Sequence, residues 1–174
     1  MKVRETSIAG LYEISLDINE DDRGSFREAY QREKLLALGL PDLGVVQWNL
    51  STNVSRGTLR GIHAEPWDKY IHVVAGEAYA AIVDLRTDSP TYKRYEEFTL
   101  TSENAIFVSR GLGNSYQTLT DGVVYGYLVN QHWSPDAQYT LISYRDPELA
   151  IPWPVSPAIV SAKDESHPSL ADRG

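Results

Sequence analysis

Apolar and polar residues alternate along most of the chain in short runs, broken by clusters of turn-forming residues. Residues 3–18 alternate loosely through Leu11, Tyr12, Ile14, Leu16 and Ile18 and predict one or two short strands. Asn19-Glu20-Asp21-Asp22-Arg23-Gly24 predicts a turn, because these residue types tolerate tight backbone geometry. Residues 25–30 alternate again and put Phe26 and Glu28 on one face of a strand. A strand at 45–50 carries Gln47 and Asn49 on one side, since side chains at i and i+2 share a face, and a loop follows at 51–57. Runs at 70–74 and 78–83 predict two strands joined as a hairpin at Ala75-Gly76-Glu77. In the first of them His72 alternates with Tyr70 and Val74, away from Ile71 and Val73.

Further strands are expected at 92–100, 105–108, 115–119, 123–129 and 138–144. They are separated by turns at Thr87-Asp88-Ser89-Pro90, Ser102-Glu103-Asn104 and Gly111-Leu112-Gly113-Asn114. One segment reads as a helix, 31–40, where Lys34, Leu35, Leu36 and Leu38 favour it and Gly39 and Pro41 end it. Many short strands with one short helix predict an all-β sandwich or barrel. Residues 147–157, with their prolines and Trp153, are expected to run extended across the body. The polar stretch from 161 is expected to fray, from about 165 onward if residues 161–164 are tied to a site.

Composition narrows the class. A chain of 174 residues suits a single domain, 1–174, with a buried core. Hydrophobic residues make up 42% and charged residues 23%, the balance of ordinary soluble globular proteins. No apolar run is long enough for a membrane span, and the start of the chain lacks a secretory apolar core. With no cysteine there are no disulfides or thiolate metal sites, which fits a cytoplasmic location. A net charge of −8 disfavours nucleic acid as a partner. A small phosphorylated ligand remains possible where arginines converge, with Arg23, Arg56 and Arg60 as candidates.

The candidate chemistry centres on Leu59-Arg60-Gly61-Ile62-His63, with Lys69 close behind. An imidazole beside an ammonium suits removal of a proton next to a carbonyl: one takes the proton and the other neutralises the enolate oxygen. A metal site is not expected. The 4 histidines contain no His-x-His pair, and jelly-roll metal centres use such pairs. By residue type alone, Tyr127 reads as a packing phenol and Asp164 as a solvated carboxylate.

Taken together and in order, several motifs resemble the dTDP-4-dehydrorhamnose 3,5-epimerase family of cupin-like nucleotide-sugar enzymes. They are Arg23-Gly24-Ser25-Phe26-Arg27-Glu28, Gln47-Trp48-Asn49-Leu50-Ser51, Leu59-Arg60-Gly61-Ile62-His63 with Lys69, Val83-Asp84-Leu85-Arg86, Ser89-Pro90-Thr91-Tyr92, Trp153-Pro154 and Ser161-Ala162-Lys163-Asp164. The resemblance implies a cupin-like jelly-roll β-sandwich with one or two short helices. It implies a cofactor-free and metal-free isomerase, homodimeric in the way the family is, acting on a dTDP-4-keto-6-deoxyhexose. It makes His63 the base, Asp164 its partner, Lys69 the enolate ligand and Tyr127 the acid on the opposite face. Arg23 and Arg60 become diphosphate ligands, and Phe26, Glu28, Gln47 and Asn49 line the nucleotide end, some of them from a second subunit.

Three departures stand against the family pattern. The interval from His63 to Lys69 is short, and Ala64-Glu65-Pro66-Trp67-Asp68 replaces the usual glutamine-bearing segment. Asn114, in Gly113-Asn114-Ser115-Tyr116, stands where a histidine is usual, and Trp133 stands where a tyrosine is usual. These changes resemble a branch often fused to a 4-keto-sugar reductase, although no Gly-x-Gly-x-x-Gly motif occurs in this chain. Other readings therefore stay open: epimerisation at C3 or C5 alone, ketoisomerisation, or a non-catalytic nucleotide-sugar-binding subunit coupled to a reductase.

Overall fold

The computed structural model describes residues 1–173. The alternating runs become two facing sheets. In chain order the strands are β1 (Lys2–Glu5), β2 (Leu11–Ser15), β3 (Asn19–Asp21), β4 (Gly24–Phe26), β5 (Gln47–Asn53), β6 (Thr58–Ala64) and β7 (Lys69–Ala75). They continue with β8 (Ala78–Asp84), β9 (Tyr95–Leu100), β10 (Asn104–Val108), β11 (Leu112–Thr118), β12 (Val123–Val129), β13 (Thr140–Leu141) and β14 (Ile159–Val160). Two short helices, α1 (Arg32–Ala37) and α2 (Ala162–Glu165), and a 3-10 turn at Ala171–Arg173 complete the chain.

The first sheet has the order β1-β2-β10-β7-β12-β5 and the second β13-β6-β11-β8-β9, with β14 parallel to β6. This is the all-β jelly-roll sandwich with short helices that the sequence predicts. β3 and β4 form a separate two-stranded ribbon.

Three apolar layers hold the sheets. Between them Ile71, Val73, Ile106 and Tyr125 meet Ala80, Ile82, Leu112 and Tyr116. Outside the first sheet, Leu35 of α1 with Leu40 and Leu43 covers Ile14, Tyr70, Ala105 and Phe107. Outside the second, Ile142, Leu149 and Ile151 cover Ile62, Tyr79, Ala81 and Val83. β8 is covered on both faces, so every one of its residues is buried and Ala78 to Val83 read as a continuous apolar run rather than an alternation. The segment expected to cross the body does so through Leu149, Ile151 and Trp153.

Several local expectations change. The runs at 70–74 and 78–83 are not a hairpin. β7 pairs with β10 and β12 and β8 with β11 and β9, so the turn at Gly76 carries the chain from one sheet to the other. Gly113 and Asn114 lie inside β11 rather than in a turn, and a Cβ at Gly113 would meet the Ile62 and Leu85 side chains at 2.7 and 2.9 Å. The loop at 51–57 begins later, because β5 continues to Asn53 against β12. The expected turn at 19–24 is the β3–β4 ribbon itself, and residues 27–30 leave the strand. Gln31 caps α1 by accepting from the Lys34 amide at 2.6 Å, so the helix proper is shorter than 31–40. Residues 138–144 contribute only the two-residue β13. Past α2 the chain lies against the body: His167 is buried, the Ser143 amide donates to Pro168 O at 2.8 Å, and the Leu170 amide donates to Asp146 at 2.6 Å.

Candidate active site

β6 sets the site through an irregularity. In a regular strand residues three apart face opposite ways, yet Arg60, His63 and Glu65 all line one cavity. Pairing with β11 shifts between Asn114 and Tyr116, and the extra residue on β6 turns His63 to the side that Arg60 faces. Gly61 permits this, having φ +131° and lying so close to β11 that a Cβ would fall 2.4 Å from Ser115 Cβ.

β14 runs beside β6 and delivers α2 behind His63. Ser161 caps α2, its Oγ accepting from the Asp164 amide at 3.1 Å. Asp164, buried, then holds His63 Nε2 at 2.8 Å through Oδ1, while its Oδ2 accepts from the Gly61 amide at 3.4 Å. An ionised carboxylate only accepts, so Nε2 carries a proton, and in the neutral ring Nδ1 keeps its lone pair. Burial pushes the Asp164 carboxyl up, but the hydrogen bond and charge of His63, the Gly61 amide and His167 hold it below the usual carboxylate range. The His167 ring meets that of His63 edge-on, with centroids 5.3 Å apart, and burial lowers its pKa.

The facing wall comes from the first sheet. Directly opposed residues of an antiparallel pair share a face. The registers Lys69↔Val129↔Gln47, Ile71↔Tyr127↔Asn49 and Val73↔Tyr125↔Ser51 therefore put Lys69, Gln47, Asn49, Ser51, Tyr125 and Tyr127 on the side of Ile71 and Val73, toward the second sheet. The same alternation turns His72 outward, as the sequence predicts. Lys69 is 4% exposed and forms an ion pair with Glu65. The short loop before Lys69 is held by Asp68, which accepts from the Arg110 amide and guanidinium and from Asn130 at 2.8–3.2 Å. Trp67 is buried edge-on against Tyr139 at 5.7 Å. Burial, and next the charge of Glu65, raise the Tyr127 phenol above its ordinary pKa, so it stays protonated at neutral pH.

Two adjoining cavities result. One, of about 180 Å³, is lined by Ser51, Arg60, His63, Glu65, Lys69, Asn114 and the tyrosines 116, 125 and 127. The other, of about 280 Å³, shares Glu65 and Tyr127 with it and adds Gln47, Asn49, Trp67 and Trp133. Asn114 sits opposite His63 on β11 and accepts from the Tyr125 hydroxyl at 3.1 Å. Arg60 donates through Nε to Asn53 at 3.0 Å. Gln47 donates to Asn49 at 2.7 Å and accepts from the Trp133 amide at 3.2 Å.

The structure thus gathers His63, Lys69, Tyr127, Asp164, Arg60, Gln47, Asn49, Asn114 and Trp133. It does not bring Arg23, Phe26 and Glu28 to these cavities. Arg23 and Phe26 line a groove on the ribbon, where Arg23 pairs with Asp21, and Glu28 pairs with Lys34. Arg56 is bound elsewhere, through its amide to Asp121 and its Nε to the Leu119 carbonyl. Sequence reasoning missed Glu65, although its place two residues past His63, just beyond the end of β6, was a signal. Ser51 was missed too, although it continues the alternation of Gln47 and Asn49, whereas Tyr116, Tyr125 and His167 carried no signal beyond their residue type.

An imidazole held by a carboxylate on one sheet faces an ammonium and a protonated phenol on the other. This is the arrangement of an isomerase that moves protons at carbons beside a carbonyl. The sequence matches the family described as dTDP-4-dehydrorhamnose 3,5-epimerase over residues 5–172. It is 40% identical to a protein RmlC homolog of Streptococcus pyogenes serotype M6 (95% of this chain, 87% of the relative). It is 35% identical to a dTDP-4-dehydrorhamnose 3,5-epimerase of Streptomyces griseus (98% and 87%). The solved structure of RmlC from Streptococcus suis in complex with dTDP-D-xylose superposes with a TM-score of 0.91 at 39% identity (98% and 92%). The chain belongs to the dTDP-4-dehydrorhamnose 3,5-epimerase family.

Proposed function

We propose that this chain epimerises dTDP-4-keto-6-deoxy-D-glucose at C3 and C5, yielding dTDP-4-keto-L-rhamnose. The observation that carries the reading is the placement of His63 and Tyr127 on facing sheets of one cavity. Inversion needs a base on one face of the sugar ring and an acid on the other. His63 Nδ1 takes the proton at a carbon next to C4, and the C–H electron pair becomes the enolate. Lys69 stabilises the O4 charge. The Tyr127 hydroxyl donates its proton to the opposite face of the same carbon, and the phenolate recovers a proton as His63 releases the one it took. The cycle repeats at the second carbon. Asp164 keeps Nδ1 free in the resting state and stabilises the imidazolium. Arg60 serves the diphosphate, and Gln47, Asn49, Asn114 and Trp133 serve the sugar and base.

The reading includes a cytoplasmic homodimer. β5 is an edge strand whose outward residues Trp48 and Leu50 are 57% and 54% exposed, an apolar edge suited to a second copy. In such a dimer the ribbon bearing Arg23 and Phe26, with Glu28, would reach the other chain's cavity. The product keeps its 4-ketone, so a 4-keto-sugar reductase is the expected consumer.

The test is exchange in heavy water. Deuterium should enter the sugar at C3 and C5, followed by NMR, and His63→Ala should abolish it. Entry at one carbon would leave a single-carbon epimerase. Tight binding without exchange would leave only a binding subunit. Mixing His63→Ala with Arg23→Ala chains tests the shared site: neither alone should turn over, and the mixture should regain activity.

A further inference from the structure

The base needs one carboxylate, yet a second imidazole stands against the same oxygen. His167 Nε2 lies 3.6 Å from Asp164 Oδ1, the atom that holds His63 Nε2 at 2.8 Å. One ligand atom from each of the three residues falls within 4.8 Å of the other two. The His167 side chain is 4% exposed, and neither ring nitrogen has a hydrogen-bond partner among the described residues. The Ile142 carbonyl lies close to the ring without a well-formed bond. Buried polar atoms are ordinarily partnered, so a buried imidazole aimed at a carboxylate and another imidazole calls for an occupant.

Two imidazoles and one carboxylate form the donor set that divalent transition metals take, leaving a fourth position for water. Donors each about 2.0–2.2 Å from a tetrahedral ion stand roughly 3.3–3.5 Å apart. The two spacings to Asp164 Oδ1, 2.8 and 3.6 Å, bracket that value. Small movements of His63, half-exposed on the cavity side, would complete the fit.

We infer that His63, Asp164 and His167 form a binding site for a divalent transition-metal ion such as Zn²⁺, and that its occupancy switches the base off. The ion takes the Nε2 lone pair of His63, so the proton of the neutral ring moves from Nε2 to Nδ1. Asp164 and His167 supply lone pairs they already hold, and no proton is lost from the ring. With Nδ1 protonated, His63 has no lone pair to accept a proton from the sugar. The switching half rests on His63 being the base, whereas the binding half does not.

The experiment uses the full chain without a histidine tag. Titration with Zn²⁺ by calorimetry, and with Co²⁺ by its visible absorption, should give one ion per chain. His167→Ala and His167→Gln should each weaken binding by at least about tenfold. No binding, or the same affinity in both variants, would overturn the site. In heavy water, one equivalent of Zn²⁺ should stop deuterium entry into the sugar, and a chelator should restore it. The His167 variants, each compared with its own metal-free rate, should resist. Stoichiometric binding with undiminished exchange would overturn the switch. Loss of exchange in His63→Ala without metal tests the base on its own, so the two failures are distinct.

Discussion

Asp164→Asn isolates the electrostatic part of the proposed mechanism. The amide is isosteric and keeps an oxygen to accept from His63 Nε2, but it removes a charge from a buried side chain that touches the ring at 2.8 Å. The proposed mechanism starts from an uncharged His63 ring, so substrate binding should change little. Once His63 has taken a proton, the carboxylate and the imidazolium are opposite unit charges whose centres lie about 4 Å apart. At an effective dielectric of about 20 their attraction is roughly 4 kcal/mol. Part of it is lost to solvent on the half-exposed face of the ring, leaving about 3 kcal/mol. At 1.36 kcal/mol per decade, kcat for deuterium entry should fall on the order of a hundredfold, with KM within about threefold. The assay is the initial rate of deuterium entry at C3 and C5 across substrate concentrations, with a thermal melt to show that the variant is folded. A loss of less than about fivefold in a folded variant would refute the view that Asp164 stabilises the charged base.

Tyr127→Phe should separate exchange from inversion. Deuterium should still enter through His63, while inverted product falls by about 10²–10⁴-fold, the usual span for loss of a positioned acid. Glu65→Gln should lower the Tyr127 pKa, since the charge of Glu65 is second only to burial in raising it. Ultraviolet titration, with Tyr127→Phe marking the signal, reads that shift, and an upward shift would contradict it. Asp84 is buried, accepts from Arg86 at 2.8 Å, from Thr91 at 2.6 Å and from Ser89 at 2.5 Å, and these bonds outweigh burial to hold its pKa at about 2. Because its folded pKa lies below the unfolded value, the stability it contributes is full above pH 4 and fades as pH falls toward 2. Asp84→Asn should therefore cost on the order of 2 kcal/mol at pH 7 by denaturant unfolding, with the gap from wild type narrowing between pH 4 and 2.

Periodicity located most strands, and it placed Gln47 with Asn49 and turned His72 outward, because a period of two is a property of the strand alone. It could not say which strand pairs with which. The runs on either side of Gly76 look like a hairpin, and only the partners available in two sheets make them a crossover. Nor does spacing show that Arg60, His63 and Glu65 share a face. That depends on an irregularity opposite Ser115, and in a regular strand Arg60 would point away. Asp164 is 101 positions from His63, so no local pattern joins them, and only the family resemblance linked the two. Glu65 and His167 differ again: their residue types were visible, but their meaning comes from burial beside Lys69 and Asp164.

The long separation of Asp164 from His63 has a consequence for the life of the chain. β14 and the helix it carries follow every other strand along the chain, so they are made after the strands that bear His63 and Tyr127. Both sheets can be complete but for β14 while His63 still lacks the partner that sets its tautomer. A nascent or clipped chain ending before residue 161 would then hold a formed cavity with an unarmed base. Activity would appear only once Asp164 has been added and docked, so α2 arms a site whose walls are already in place.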